Sequence, residues 1–391
     1  MDDAHETAPD HSWLPPHQEH VAYTLAHVDQ LIAQVGKLLW GYMDREVFTF
    51  DTLPHPRGSA VTITKVQPFP EGIARVFADA TTQLRAAIEH TIFAEVEHSL
   101  GRDLSPEEAQ TIEMPARLTE ESFTSWLGHS KRKLIPAFAP GAALSTRVSR
   151  LQPFHDVDPT VHPMRLLAEY TNFAKHRAPA ITTVRVGPVM PDRDVPGVQV
   201  VEFDEPVPAR VGDVLVHGPR RAKVGVSIYP FIASQRPHTG TWHVLMKELG
   251  ELADWVRTVA IPTLVTGDAT VDPLIPGIDI SVGHGSLEDA LTGARRETAF
   301  VLNQTRVIAR GIRGDLAESL TQTSRGTLSL EDAKRWLDGL GDAEVIRRLD
   351  EVGFSSTPAK ALRAYKILKG HVREARASVA LDDEEDELTN P

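Results

Sequence analysis

The sequence predicts a mostly α-helical α+β chain, and three observations carry that prediction. Long stretches repeat apolar residues every three or four positions, a block near 181–232 breaks into short β-rich runs, and everything after about 285 returns to helical periodicity. The chain has 391 residues with 28 Pro, 26 Gly and no Cys. That length suggests two or three domains. The absence of Cys excludes disulfide scaffolds, Cys-ligated zinc, iron–sulfur clusters and thiol nucleophiles.

Residues 1–20 hold four His, three Pro and little apolar periodicity, and are expected to form a disordered arm. Val21, Leu25, Val28, Ile32, Val35 and Leu39 then mark one buried helical face. Val47–Leu53 and Ala60–Val66 alternate as strands around Pro54-His55-Pro56-Arg57-Gly58, which predicts a hairpin. After Pro70 a long helix runs to about Leu100 and is closed by Gly101, with Ile73, Phe77, Leu84, Ile88 and Ile92 inward. Ser105-Pro106-Glu107-Glu108 opens a shorter helix, and Glu120–His129 forms another. The proline-rich segment 150–163 reads as a structured loop, followed by a helix from His162 or Pro163 to before Pro179. The β-rich insertion contains Ile181–Val186, Val198–Phe203, Val214–Val216 and Ala222–Tyr229. A helix is expected over 241–260, then a Pro/Gly-rich linker over 266–284. From 285 to 380 a C-terminal helical domain follows, with helix starts at Ser286, Ser329 and Thr357-Pro358 and stops at Gly341 and Gly353. Residues 381–391 form an acidic tail.

The net charge of −13 is concentrated at the ends. Five acids lie in 1–20 and six are consecutive from Asp382 to Glu387; without those eleven the body carries −2. A near-neutral body neither advertises nor excludes nucleic acid, because local patches decide. The densest basic patch is the expected helix 358–378, with Lys360, Arg363, Lys366, Lys369, Arg373 and Arg376. It reads either as a phosphate-binding helix masked by the acidic tail or as a solvated face with Leu362, Tyr365, Leu368 and Val372 packed inward. No apolar run reaches the roughly 18 residues a spanning helix needs, and the N-terminus is acidic, so a cytoplasmic protein without a membrane partner is expected.

No phosphate-binding glycine loop, dinucleotide fingerprint, H-E-x-x-H or G-x-S-x-G signature occurs. His155, Asp156, Asp158 and His162 are of metal-ligand type, but Asp and Pro are also ordinary turn residues, and no metal or other cofactor is assigned. What remains is Arg85 and His90 in Leu84-Arg85-x-x-Ile88-Glu89-His90, and Lys175-His176-Arg177 at a helix end. A spacing of five puts Arg85 and His90 about 140° apart, so a shared pocket needs the long reach of Arg85 or a second helix. Both residues also read as packing, with Arg85 paired to a nearby acid and His90 satisfied at a packing interface; the Lys-His-Arg cluster is also what a helix C-terminus favours by itself.

These segments, with Leu151-Gln152-Pro153-Phe154, Leu167 and Asn172 between them, resemble a group of bacterial proteins with Leu-Arg-x-x-Leu-Asp-His, Leu-Gln-Pro-Tyr/Phe and Asp-Lys-His-Arg motifs over roughly 70–265. Glu89 and Ala174 stand where that group has Asp. The Arg-x4-His spacing in a helical setting also resembles the HEPN superfamily of metal-independent endoribonucleases. The resemblance implies a HEPN-like helical domain over 21–265 and RNA as a partner in stress or antiphage defence. It further implies a homodimer that brings two motifs together. His90 would be general acid or base, Arg85 would hold the scissile phosphate, and Lys175, His176 and Arg177 would bind substrate. Ala86 departs from the polar residue that active members place after the arginine. The competing expectation is a non-catalytic oligomeric scaffold that docks a protein partner through its acidic tail.

Overall fold

The computed structural model describes residues 9–56, 58–191, 193–201, 208–220, 225–228, 230–353 and 358–389, with backbone only for 358–359 and 380–389. Two compact units result, one ending at Phe300 and the other beginning at Val301.

The first unit is organised by two helices, α1 (Glu19–Met43) and α2 (Glu71–Leu100). Their apolar stripes interlock, with Val21, Leu25, Val28 and Ile32 of α1 and Ile73, Phe77, Leu84 and Ile88 of α2 in the same core. Gly101 ends α2 in the left-handed region at φ 63°, where its N–H reaches the carbonyls of Glu97 and His98. Between the helices lies the hairpin β1 (Phe48–His55) and β2 (Gly58–Val66), antiparallel with a bulge at Thr49/Phe50. Gly58, at φ 141°, lies where a Cβ would stand 2.3 Å from the Gly218 carbonyl, so the paired strand's approach requires glycine.

Ser105 closes a capping box with Glu108 at the start of α3 (Pro106–Ala109), and Thr119 caps α4 (Glu120–Leu127). The next helices are α5 (Ala143–Arg150) and α6 (Pro163–His176). The β-rich insertion forms as expected in kind, with β3 (Thr182–Arg185), β4 (Val189–Pro191), β5 (Gln199–Val200), β6 (Val214–Gly218), β7 (Val226–Ile228) and β8 (Phe231–Gln235). The expected strand residues Glu202, Phe203, Ala222–Val224 and Tyr229 lie outside the described residues. All pairing among these strands is antiparallel. One sheet has order β1-β2-β6-β5, so the insertion extends the early hairpin instead of standing apart. A second runs β3-β8-β9, with β9 at Trp242–Val244, and β4 pairs with β7.

Four expectations about the first unit and its limits need correction. The helix expected from 241 begins only at Leu245 as α7 (Leu245–Trp255), because Trp242–Val244 pairs with β8. It then widens into a π turn at Val256–Ala260 and continues as α8 (Ile261–Thr266). Second, 266–284 is not a linker: Leu274, Ile275 and Ile278 are buried, and Gly277 exchanges backbone hydrogen bonds with Arg295. Third, the C-terminal domain starts at 301 and not 285, since α9 (Leu287–Thr292) buries Leu287 and Ala290 in the first core. Fourth, the part of the N-terminal arm that is described is fixed in place. Asp10 N–H donates to Asp272 Oδ2 at 2.7 Å, Trp13 Nε1 donates to the Asp272 carbonyl at 2.9 Å, and Leu14 and Gln18 are buried. Residues 1–8 lie outside the described residues.

The second unit contains nearly all of α10 (Ala299–Ser324), with α11 (Leu330–Asp338), α12 (Asp342–Val352) and α13 (Pro358–Thr389). Leu316, Leu320, Leu328, Trp336, Leu337, Val372 and Ala375 form its core. Ser329 caps α11, Gly341 stands at the start of α12 instead of stopping a helix, and Gly353 ends α12. Thr357 lies outside the described residues. Of the apolar face expected on 358–378, Val372 is buried and Tyr365 and Leu368 half-buried, but Leu362 is exposed. The α13 backbone stays helical through the acidic run to Thr389.

A Cβ at Gly250, inside α7, would lie 2.4 Å from Phe300 Cγ, whereas one at Gly41 meets nothing within 4 Å. Gly250→Ala is therefore expected to lower stability by about 1–2 kcal/mol after its helix-propensity gain, while Gly41→Ala is neutral or raises it by up to about 1 kcal/mol; urea unfolding of both checks this.

Candidate functional site

Arg85 sits on α2 where α6 crosses it. Its Nε donates to Glu89 Oε1 at 2.9 Å, one turn along the helix, and its Nη1 donates to Thr171 Oγ1 at 2.9 Å and Asn172 Oδ1 at 3.4 Å. Two of the sequence motifs are thus joined directly, and the arginine acts as a clamp between helices. His90 is exposed on another face of α2, away from these bonds. Arg85 and His90 lie on different faces of α2, as the five-residue step between them dictates.

His90 has a different neighbour. Its ring centroid lies 6.3 Å from that of His20 on the first turn of α1. Partial desolvation, then the imidazoles of His90 and His17, hold His20 below the ordinary histidine pKa, which favours its neutral form. Nearby, His17 Nε2 is 2.9 Å from Glu95 Oε1, its ring stacks on His98 at 4.0 Å, and Arg147 Nη1 lies 3.6 Å from Glu95 Oε2. The composition of the N-terminal arm gave no sign of this, because a histidine's partner on a distant helix leaves no local pattern.

Lys175, His176 and Arg177 are all exposed at the C-terminal end of α6. The helices run antiparallel: Arg85 meets Thr171 and Asn172, while Arg75, Ala78, Asp79 and Thr82 share a cleft of about 310 Å³ with Ala174, Lys175 and Pro179. Lys175 therefore faces Arg75 and Asp79, and Arg177 lies 5.9 Å from the Phe173 ring. From Thr82 to His90 is about 12 Å along α2, so this basic end and the histidine pair are separate features on one helix.

In the 150–163 loop the ligand-type residues have other partners. Asp158 Oδ1 accepts from the Thr160 N–H and hydroxyl, and His162 Nδ1 accepts from the Met164 N–H to cap α6. Among the described residues no group of three or more His, Asp or Glu is placed to hold a metal ion. Gln152 is buried and accepts from the Arg117 N–H, so the Leu-Gln-Pro-Phe motif is architectural in this chain.

Sequence reasoning missed a buried polar cluster around Glu248. Glu248 of α7, 3% exposed, accepts from Arg236 Nε at 2.7 Å and Nη2 at 2.8 Å, and from the Tyr170 hydroxyl at 3.1 Å. Burial and the adjacent Glu248 raise the Tyr170 pKa; burial opposes the charge on Arg236, but its bonds to Glu248 outweigh this and raise its pKa. His243 Nδ1 stands 4.0 Å from Glu248 Oε2, and Thr241 Oγ1 is 3.2 Å from His243 Nε2. A Glu on an apolar helix face was the available signal, with Leu245, Leu249 and Leu252 around it.

Burial lowers the His162 pKa below 6.5, and its Nδ1 must stay unprotonated to accept the capping bond. The unfolded chain then binds the extra proton first, so stability is present above about pH 6.5 and falls as pH drops through that value. His162→Asn keeps an acceptor without titrating and is expected to lose less stability between pH 7.5 and 5.5 than the wild type in parallel urea titrations. The chain's own chemistry is what the functional reading rests on, since no protein-family model, curated protein or solved structure matches it.

Proposed function

We propose that this is an RNA-contacting protein with a HEPN-like helical framework, and that the cleft between α2 and α6 takes the phosphate backbone. The observation that carries this reading is the antiparallel pairing of the two helices, which brings Arg75 and Lys175 to one cleft beside Thr82. Two cations against the single carboxylate of Asp79 leave that cleft net positive, and exposed His176 and Arg177 extend it. Arg85, clamped to Glu89, Thr171 and Asn172, sets the relative position of the two walls. Guanidinium and ammonium groups bind phosphate without reading sequence, so recognition is of backbone.

A second reading has its own support. In metal-independent cleavage one neutral imidazole takes the 2′-hydroxyl proton as the 2′-oxygen attacks phosphorus, and a second, protonated imidazole donates to the 5′-oxygen as its bond to phosphorus breaks, which gives a 2′,3′-cyclic phosphate. His20 and His90 are spaced for such a division of labour, with His20 as base and His90 as acid; Arg85 is then a positioning residue.

Fluorescence anisotropy with labelled single-stranded RNA tests the binding reading. Arg75→Ala/Lys175→Ala is expected to weaken binding about tenfold and to reduce the slope of log K against log salt by about 1.4. Equal affinity of wild type and double variant, or no binding at low salt, rejects it in favour of the interaction-protein reading with Asp382–Glu387 as the docking segment. Incubation of end-labelled RNA with EDTA tests the cleavage reading: cleavage lost in both His20→Ala and His90→Ala supports it, and cleavage retained in either rejects it.

A further inference from the structure

Two arginines flank α4, and their donors meet opposite fates. Arg132, 5% exposed, lies 3.9 Å over the Trp126 ring and commits its guanidinium to the chain itself. Its Nε and Nη2 donate to the Thr111 carbonyl at 3.1 and 2.7 Å, and its Nη1 donates to the Trp126 carbonyl at 2.6 Å. Arg117 is half-buried, and its backbone N–H is held by Gln152 Oε1 at 3.0 Å. Its guanidinium has no hydrogen-bond acceptor and no ion pair among the described residues, and its Nε is shut off from solvent. Donors left without acceptors at a partly enclosed site call for an explanation.

Both arginines line one cavity of about 430 Å³, together with Gln110, Glu113, Ser125 and His129. That volume lies within the range of pockets that take small organic ligands. Its wall is fixed in advance, because Arg132 ties Thr111 to Trp126, and the Trp126 ring packs edge-on against buried Phe138 at 5.5 Å. The charges on the wall do not cancel. Glu113 is the one carboxylate among the lining residues, whereas Glu120 and Glu121 of α4 are exposed and do not line the cavity. Glu113 Oε1 already accepts from Trp126 Nε1 at 2.9 Å and Arg132 Nη2 at 3.4 Å. Burial is the main influence lowering the Arg132 pKa; Glu113 opposes it, and the charge of Arg117 adds to it. Two guanidiniums thus face one carboxylate, and the surplus charge sits on the arginine whose donors are open.

We propose that this cavity binds a small polar organic acid, a hydroxy or amino monocarboxylate, whose carboxylate lies end-on against Arg117. The Nη1–H and Nη2–H bonds on that edge of a guanidinium run parallel, and the two oxygens of one carboxylate match them. Gln110, Ser125 and Glu113 Oε2 are left for the hydroxyl or ammonium group of the ligand. A phosphate monoester carries nearly two charges at pH 7. It fits less well, because Arg132 is already committed and the second charge would stand against Glu113.

The readout is the fluorine resonance of Trp126 in full-length protein labelled with fluorotryptophan, assigned with Trp126→Phe. The protein is titrated at fixed ionic strength with glycolate, L-lactate, L-serine and L-glutamine, each against its primary amide, and with inorganic phosphate. At least one acid is expected to move the resonance saturably, with half-saturation below about 10 mM, while the amides and phosphate do not. Arg117→Gln removes the parallel donors and no bond within the chain. It is expected to weaken that titration at least about tenfold and to melt within about 2 °C of the wild type. No saturable shift with any acid, an equal shift with the amides, saturation by phosphate alone, or an unchanged titration in Arg117→Gln each overturns the proposal. Should Arg117→Gln not fold, Ser125→Phe, which fills the cavity from the exposed face of α4, takes its place: loss of the response supports the site, and a retained response overturns it.

Discussion

The burial of α2 is the constraint on which the first unit depends. This helix is about 45 Å long, and α1 packs along one side of it while α6, α7 and α8 pack along others. A helix covered on several sides needs apolar residues over more than one stripe, and α2 has them from Ile73 to Val96. What remains for polar chemistry is the set of seams between neighbours. Arg75, Asp79 and Arg85 lie on the α6 seam, while His90 and Glu95 lie toward the start of α1. The separation of the basic cleft from the histidine pair is thus a consequence of how α2 is covered.

Buried polar groups fix which distant segments meet along that scaffold. Glu248 can satisfy its oxygens only when Arg236 of the β8–β9 connection and Tyr170 of α6 arrive together. Asp29 does the same for the backbone at Ala299 and the side chain of Arg295. Ion pairs of this kind are no guarantee of net stability, because desolvation offsets most of the attraction. Their effect is geometric: one arrangement satisfies the carboxylate, and a shifted one leaves a charge unpaired in a low-dielectric interior.

Local signals were legible in the sequence where the physics is local. The Ser105 capping box, the Ser286 and Ser329 caps and the Gly101 stop each involve atoms within four residues, and the structure forms all of them. The same locality misled at 266–284, where turn residues outnumber the four buried residues Leu274, Ile275, Pro276 and Ile278 that hold the segment down. It misled again in the N-terminal arm, whose anchors are hydrogen bonds to Asp272. The strand at Trp242–Val244 was absorbed into a helical pattern because its pairing partner, β8, lies across a tight turn that periodicity cannot weigh.

The sequence by itself determined the helical fold class, the position of the β-rich insertion, most helix termini and the residues able to do acid–base or phosphate chemistry. Those follow from periodicity, caps and side-chain identity, all properties of short stretches. Only the tertiary structure decided that Arg85 clamps α6, that His90 sits beside His20, that Lys175 shares a cleft with Arg75, and that Arg117 lines a cavity without an acceptor of its own. Each of these depends on which elements pack together and in what direction. That choice is made by the summed burial of the whole core, which no single stretch of sequence encodes.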